Sequence, residues 1–271
     1  MVFMSPMPSE NDLEIYNANY FQAAHGGHPT NKSAVGFFSG ISKLRGIYVS
    51  SFLKKKLLFP KKVLEVGPGH GYFAKNWISN NPDVQYFGVE TDESCYESLK
   101  HAGVKIVLPS QVQAEIDCVD LVIISHVLEH ISNPDLFLQQ VTQKLKTGGV
   151  LFIEVPCFDW MHKEIYEPHL LFFDKVPMAK LLERNGFKQL EVNYYGNTIQ
   201  YLTKPKSKSI HFFEKVRSKL IDFGFYHFFA YQDMDDLKSL TPLERAATKN
   251  AMAHKESEVP AWWLRAVSIK S

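Results

Sequence analysis

The segment VDLVIIS at positions 119–125 constrains the fold most strongly, because five of its seven residues are apolar and they do not alternate with polar ones. A strand with one face in water alternates, whereas a strand covered on both faces reads as a continuous apolar run. Sheets that are covered on both faces are typical of chains in which strands alternate with helices. This segment therefore predicts a central strand of such a sheet.

Short β-branched runs alternate with longer helical patterns from residue 61 to about residue 195. Alternation of this kind predicts an α/β fold with a doubly wound, mostly parallel sheet of seven strands and helices on both faces. The predicted strands are 62–66, 84–90, 104–108, 120–125, 150–155, 188–195 and 262–271, and the predicted helices between the first five are 72–79, 93–101, 111–115 and 134–146.

Changes in composition divide the chain into an N-terminal helical segment (1–58), the sheet domain (59–204), a helical insertion (205–258) and the final strand (259–271). Thr241 with Glu244 three residues later forms a capping-box pattern, which predicts a helix start inside the insertion. An alternative is a hairpin partner at 198–203 followed by a detached helical tail. The insertion is rich in phenylalanine, so we expect it to pack on the sheet, shape a binding pocket or form a subunit interface such as that of a homodimer.

Charge and cysteine content exclude several classes of protein. The chain has 30 Lys and Arg against 29 Asp and Glu, a net charge of +1, whereas a dedicated nucleic-acid binder carries a larger basic excess. Three cysteines without a CxxC spacing argue against a disulfide framework or a cysteine zinc site. No apolar run reaches the roughly 18 residues of a membrane span, and the N-terminus lacks the pattern of a secretory signal. We therefore expect a cytoplasmic protein that binds neither nucleic acid nor membrane.

A glycine-rich loop follows the first predicted strand, in the sequence VLEVGPGHGYFAKNW. Gly67, Gly69 and Gly71 allow the backbone to turn tightly and to approach a ligand that a Cβ atom would block. The GxGxG spacing differs from the GxGxxG of dinucleotide enzymes, and the loop lacks the Lys-Ser/Thr of a P-loop. The next strand ends in Glu90, where sheets of this kind place a carboxylate that binds ribose hydroxyls. The loop and Glu90 are therefore predicted to face one ligand.

These motifs, together with VDLVIISHVLEHI and GGVLFIEVP, resemble the class I S-adenosylmethionine-dependent methyltransferases, in particular the branch acting on small molecules and sugars. The resemblance covers about residues 60–195. It implies a Rossmann-like fold, S-adenosylmethionine as cofactor and methyl transfer to a small-molecule acceptor, for which we expect a hydroxyl of a sugar or glycan precursor. Amine or carbon acceptors are alternatives, as is a non-catalytic interaction protein that keeps the fold.

The resemblance also implies the cofactor contacts. The methionine end would lie against the glycine loop, the ribose against Glu90, and the adenine between Thr91 and the loop at 109–112, where Ser110 and Gln111 replace the family's common acidic pattern. An N-terminal lid containing Tyr20 would close over the cofactor. The full predicted set is Glu65, Gly67, Pro68, Gly69, Gly71, Glu90, Thr91, Ser110, Gln111, Ser125, His126 and Tyr20.

The segment HVLEH at 126–130 matches the HxxEH signature of a class of zinc proteases. That function requires both histidines on one face of a helix, whereas this segment directly follows a predicted buried strand, so we expect no metal site. His126 is instead expected beside the transferred methyl group, with Glu129 and His130 orienting the loop. A hydroxyl acceptor needs a base, and histidine is the natural residue near neutral pH. His169, in PHLLFF, is the preferred candidate and His126 the second.

Overall fold

The computed structural model of the chain describes residues 2–161, 169–204, 208–230, 238–249 and 252–271. Three parts of the predicted insertion lie outside the described residues, namely 205–207, 231–237 and 250–251. Pro168 of the PHLLFF segment also lies outside them. The strands within the described part are β1 (Val2–Phe3), β2 (Lys62–Val66), β3 (Gln85–Val89), β4 (Lys105–Ile106), β5 (Val119–Ser125), β6 (Leu145–Pro156), β7 (Leu171–Phe172), β8 (Phe187–Thr198), β9 (Glu256–Ser257) and β10 (Ala261–Lys270).

The helices flank these strands along most of the chain. They are α1 (Glu10–Ala18), α2 (Tyr20–His25), α3 (Lys32–Lys55), α4 (Tyr72–Asn80), α5 (Tyr96–His101), α6 (Val112–Glu115), α7 (Pro134–Thr142), α8 (Lys175–Arg184), α9 (Ile199–Leu202), α10 (Lys208–Asp222) and α11 (Pro242–Thr248). No helix among the described residues is both long enough and apolar enough to cross a bilayer.

The central sheet has the strand order β4-β3-β2-β5-β6-β10-β8-β9. Neighbouring strands from β4 to β6 are parallel, whereas β10 runs antiparallel to both β6 and β8. This confirms the predicted doubly wound, mostly parallel sheet, with one correction. Among the described residues the sheet has eight strands and not seven, because the two-residue β9 pairs with β8 at Tyr194 and Tyr195. Strand order reverses between β2 and β5, which is where ligands bind in such sheets.

Both faces of the sheet are covered by helices, as the continuous apolar run at β5 predicted. On one face, Phe52 of α3 and Trp77 of α4 pack with Val63 and Ile123 of the sheet. On the other face, side chains of α7 and α8, including Leu138, join a second cluster of buried apolar residues. Successive side chains of β5 point to opposite clusters: Leu121 and Ile123 belong to the first, and Val122 and Ile124 belong to the second. Strand β5 is therefore buried on both faces.

Helix α11 of the insertion packs against α3 through small residues. Gly36 and Gly40 lie one helical turn apart on α3, and a Cβ atom at Gly36 would be 2.9 Å from Cγ of Leu243. The capping box predicted at Thr241 is confirmed, since its amide donates to Glu244 Oε2 (2.7 Å) and its hydroxyl accepts from the Glu244 amide (3.3 Å). The insertion is thus held directly to the helix that covers one face of the sheet.

The alternative reading of residues 198–203 as a hairpin strand is wrong. Residues Ile199–Leu202 form the helical turn α9, in which the Thr198 hydroxyl caps the Tyr201 amide. The phenylalanines of the insertion were expected to pack on the sheet, line a pocket or form an interface between subunits. In the single chain, five of them have more than half of their surface exposed: Phe212, Phe213, Phe223, Phe225 and Phe228. Packing of these five on the sheet is therefore excluded.

Candidate functional site

The glycine loop joins the carboxyl end of β2 to the amino end of α4. Gly67, Gly69 and Gly71 have φ angles of +67°, +53° and +72°, in the left-handed region that side chains other than glycine rarely adopt. The Gly71 amide donates to the Pro68 carbonyl (2.9 Å), which closes the turn. A Cβ atom on Gly67 would overlap Cγ2 of Val127, so the loop also lies against the segment that follows β5.

Glu90 follows β3 and is hydrogen-bonded to the glycine loop. Its Oε2 accepts from the Gly69 amide (2.8 Å), while Oε1 accepts from the amides of Thr91 (2.8 Å) and Asp92 (3.0 Å). Burial raises the pKa of Glu90 above its usual value, although the three N–H donors act in the opposite direction. The structure therefore brings together the glycine loop and the carboxylate, which the sequence predicted to face one ligand.

The N-terminal helix α2 packs on this loop, and its role as a lid stays a prediction. The Phe21 amide donates to Asp92 Oδ2 (3.1 Å), and the Phe21 ring lies 4.3 Å from the His70 ring, between centroids. The Tyr20 ring is edge-on to His130 at 5.6 Å. Residues 20 and 21 thus contact the turn after β5 and the glycine loop, respectively. Sequence reasoning missed Asp92, whose position two residues after Glu90 is the only signal for it.

Two of the predicted cofactor contacts are buried beneath the site. Glu65 and Ser125 are buried at the carboxyl ends of β2 and β5. The Tyr86 hydroxyl donates to Glu65 Oε2 (2.7 Å), and burial raises the pKa of Glu65 to about 7, although Tyr86 and the charge of Arg45 lower it. The Ser125 hydroxyl has no hydrogen-bond partner among the described residues.

Three other predicted adenine-side contacts are exposed in the structure. Ser110 and Gln111 lie in a short 3₁₀ turn, and the Gln111 side chain accepts from the Leu108 amide (3.3 Å). The Thr91 hydroxyl donates to the Asn17 carbonyl at the end of α1 (3.3 Å). An adenine contact at these three positions therefore stays a prediction.

His126 has left-handed backbone, with a φ of +55°, directly after β5. This conformation is uncommon for a residue with a Cβ atom and tends to occur at functional sites. Its Nε2 lies 3.2 Å from Glu154 Oε1, and its Nδ1 lies 3.5 Å from Glu129 Oε1. Burial acts to lower the pKa of His126, but the two carboxylates outweigh it and raise the pKa above its usual value. His126 is thus held toward its protonated form.

Glu154 forms a buried charge network that sequence reasoning missed. It accepts from Arg45 of α3 (Nε, 2.9 Å) and from Arg265 of β10 (Nε, 2.6 Å), in addition to its contact with His126. Burial alone would raise the pKa of Glu154, but the two arginines hold it well below its usual range. The one available signal was a charged residue inside each of two apolar strand segments, LFIEVP and WWLRAV.

Glu129, His130 and His169 meet next to this network. All three are buried, and the His130 and His169 rings lie edge to face at 4.8 Å between centroids. The Leu170 amide donates to the Glu129 carbonyl (2.7 Å), which ties the segment before β7 to the turn after β5. Residues Leu128–His130 form a 3₁₀ turn and not an α-helix, so the zinc-protease reading of HVLEH is excluded. The two predicted candidates for the base, His126 and His169, therefore both lie close to Glu129.

Comparison with known proteins identifies the fold. Residues 47–192, just over half of the chain, match the model of a family described as a methyltransferase domain. The plantazolicin methyltransferase BamL, solved with a triazolic desmethylPZN analog and SAH, is 17% identical, with 97% of this chain and 99% of that chain covered and a TM-score of 0.55.

Two further solved structures have the same fold. The plantazolicin methyltransferase BpumL, also solved with SAH, is 14% identical with a TM-score of 0.54, covering 96% of this chain and 98% of that chain. A possible histamine N-methyltransferase from Thermotoga maritima is 15% identical with a TM-score of 0.52, covering 88% of this chain and 92% of that chain. No curated protein matches the chain at a significant level.

Proposed function

Because the chain belongs to the methyltransferase-domain family of S-adenosylmethionine-dependent enzymes, we propose that it methylates a hydroxyl group of a small molecule, a sugar or glycan precursor in the first instance. One observation carries this proposal: two neighbouring residues of α2 connect the glycine loop with the buried group Glu129, His130 and His169. Phe21 packs on His70 of the loop, whose Gly69 amide donates to Glu90, and Tyr20 packs on His130.

The residues on the glycine-loop side suit S-adenosylmethionine. Three left-handed glycines leave the loop backbone uncovered by Cβ atoms, so a ligand can approach the peptide groups closely. The buried Glu90 carboxylate has four lone-pair positions and accepts hydrogen bonds from three backbone N–H groups, and it can exchange the Gly69 amide for ribose hydroxyls. No lysine lies in the loop to bind phosphate, which suits a cofactor without one.

The bound cofactor supplies a methyl group whose bond to the sulfonium sulfur breaks as the acceptor oxygen bonds to the same carbon, leaving S-adenosylhomocysteine. This chain's residues position the acceptor for that displacement. A hydroxyl must also lose its proton. His126 is a poor acceptor for it, because the carboxylates of Glu129 and Glu154 favour its protonated form. We therefore assign the loss of the proton to His169.

The hydroxyl acceptor is favoured over an amine for the same reason. A neutral amine attacks without first losing a proton, so a buried histidine beside a carboxylate is of more use to a hydroxyl. The possible histamine N-methyltransferase among the structural neighbours makes an amine acceptor the second candidate.

Transfer of labelled methyl from S-adenosylmethionine to a panel of sugars, nucleotide sugars and amines tests the proposal. His169→Ala should lower kcat on a hydroxyl acceptor by about 10²- to 10⁴-fold, with the affinity for S-adenosylhomocysteine unchanged. His101→Ala is the matched control, since His101 is exposed on α5 and its Nδ1 contacts only the Glu97 carbonyl among the described residues. Methylation of amines alone, or full activity in His169→Ala, would contradict the proposal.

A further inference from the structure

The buried group Glu129, His130 and His169 has the composition and geometry of a metal site. Each residue offers one ligand atom, and the three ligand atoms lie within 4.8 Å of one another. The exposed fractions are 1% for Glu129 and 6% for each histidine. The Leu170 amide fixes the two contributing segments to each other through the Glu129 carbonyl (2.7 Å). The three donors are therefore held together by the backbone and not by their own side-chain contacts alone.

The carboxylate of Glu129 is an independent observation that points to a cation. Neither of its oxygens accepts a hydrogen bond of good geometry from the described residues. The nearest histidine nitrogens, His126 Nδ1 and His130 Nε2, are 3.5 Å and 3.9 Å from Oε1. Buried charges are usually paired or coordinate metals, and the groups that surround this carboxylate are imidazoles at distances longer than a normal hydrogen bond. A cation between Glu129 and the two histidines would satisfy it.

The donor set indicates the class of cation. Two imidazoles and one carboxylate form the arrangement that binds divalent first-row transition ions and leaves coordination positions open for other ligands. Magnesium and calcium prefer sites made of oxygen ligands, so the two nitrogen donors argue against them. His126 Nδ1 lies 3.5 Å from Glu129 Oε1, and its second nitrogen is held by Glu154, so His126 can orient the Glu129 carboxylate as outer-sphere residues do.

A second group of potential ligands in the described residues, His28, His70 and Cys95, does not share these properties. His28 Nδ1 and His70 Nε2 are hydrogen-bonded to each other at 2.9 Å, which occupies both donor atoms. Burial raises the pKa of Cys95 to about 12, whereas metal binding requires the thiolate. This group therefore provides a comparison within the same chain.

Against the expectation from the sequence that the chain has no metal site, we propose that Glu129, His130 and His169 bind one divalent first-row transition-metal ion, which presents the acceptor hydroxyl at an open coordination position. The binding of the ion stands on the geometry of the three residues, whereas its role toward the acceptor rests on the function proposed above. Coordination lowers the pKa of a bound hydroxyl, so the proton leaves to solvent and the oxygen remains bound to the ion. In that case His169 promotes loss of the proton as a ligand of the ion, in place of accepting the proton itself.

Cobalt(II) is a suitable probe, because its visible absorption reports the number and type of its ligands. The full-length chain is freed of metal with a chelator and titrated with Co²⁺, followed by calorimetry and visible absorption. We expect one Co²⁺ per chain in a site of low symmetry. Glu129→Gln and His169→Asn should each weaken binding at least 100-fold, whereas His28→Asn, which removes the other group, should leave it unchanged.

Thermal unfolding and S-adenosylhomocysteine binding of each variant show whether it is folded, and His169→Asn decides the test if Glu129→Gln does not fold. The proposal is overturned if the wild-type chain binds no Co²⁺, if both variants bind it as the wild type does, or if His28→Asn removes binding. If Co²⁺ does not bind but His169→Ala still abolishes methyl transfer to a hydroxyl, the proposed function stands and His169 acts as the base itself. Normal Co²⁺ binding without methyl transfer to any hydroxyl would contradict the proposed function alone.

Discussion

Replacing Gly67 by alanine tests how closely the glycine loop is built against the segment after β5. Gly67 has a φ of +67°, and left-handed backbone costs an L-residue about 1–2 kcal/mol. The new Cβ atom would also overlap Cγ2 of Val127, and overpacking of this kind costs about 1–3 kcal/mol. We therefore expect the free energy of unfolding to fall by about 2–5 kcal/mol. Because Val127 adjoins His126, its displacement should also weaken cofactor binding.

Gly148→Ala is the matched control. Gly148 has a φ of +76°, and apart from Gly148 itself and its two chain neighbours no heavy atom of the described residues lies within 4 Å of the position that a Cβ atom would take. The substitution should lower the free energy of unfolding by the backbone contribution alone, about 1–2 kcal/mol, and leave cofactor affinity unchanged. Urea unfolding measures the first quantity, and calorimetric titration with S-adenosylhomocysteine measures the second. Equal effects of the two substitutions on both quantities would refute the packing of the loop against Val127.

Two further predictions concern buried carboxylates. Glu154→Gln leaves two buried arginines without a counter-charge, so the free energy of unfolding measured in urea should fall by about 3–5 kcal/mol. The control Asp135→Asn removes an exposed ion pair with an arginine and should lower it by less than about 1 kcal/mol. Similar losses in the two variants would contradict the buried charge network around Glu154. Burial raises the pKa of Glu65 to about 7 in the folded chain. The contribution of protonated Glu65 to the free energy of unfolding is therefore fully present at a pH below the usual pKa of a glutamate, and it is lost as the pH rises toward 7. Glu65→Gln should therefore gain about 3 kcal/mol in unfolding free energy relative to the wild type between pH 4.5 and pH 8, and a difference independent of pH would show that Glu65 is ionised when folded.

Sequence patterns predicted the elements of the sheet well, because burial on both faces leaves a direct signature. The predicted strand 62–66 coincides with β2, and the run at 120–125 lies within β5. The strand predicted at 150–155 was too short, since β6 begins at Leu145. Leu145 pairs with Val119, and the register shifts before the next pair. Gly148 and Gly149 interrupt the local strand pattern, so the sequence of this segment does not predict the pairing of Leu145.

The site was predicted in part, for a similar reason. The glycine loop and Glu90 stand at strand ends, which converge by topology alone, and their proximity follows from the sheet. The convergence of Glu129 and His130 with His169 depends on β7, which pairs with β1 near the N-terminus, and no local pattern indicates that pairing. The contact between Arg45 and Glu154 likewise depends on how α3 crosses the sheet.

The surface of the insertion was beyond prediction from composition. Its aromatic content suggested burial, but helix α10 and the turn after it expose Phe212, Phe213 and Phe228 in the single chain. Whether an apolar side chain is buried depends on the surface that packs against it. The sequence of the insertion does not indicate that surface.

The central claim is that the glycine loop and Glu90 together bind S-adenosylmethionine. A crystal structure of the chain with S-adenosylhomocysteine tests it most directly. We expect the ribose hydroxyls to be hydrogen-bonded to the Glu90 carboxylate, with the rest of the ligand against the backbone of Gly67, Gly69 and Gly71. A ligand bound elsewhere, or one whose ribose does not contact Glu90, would contradict the claim.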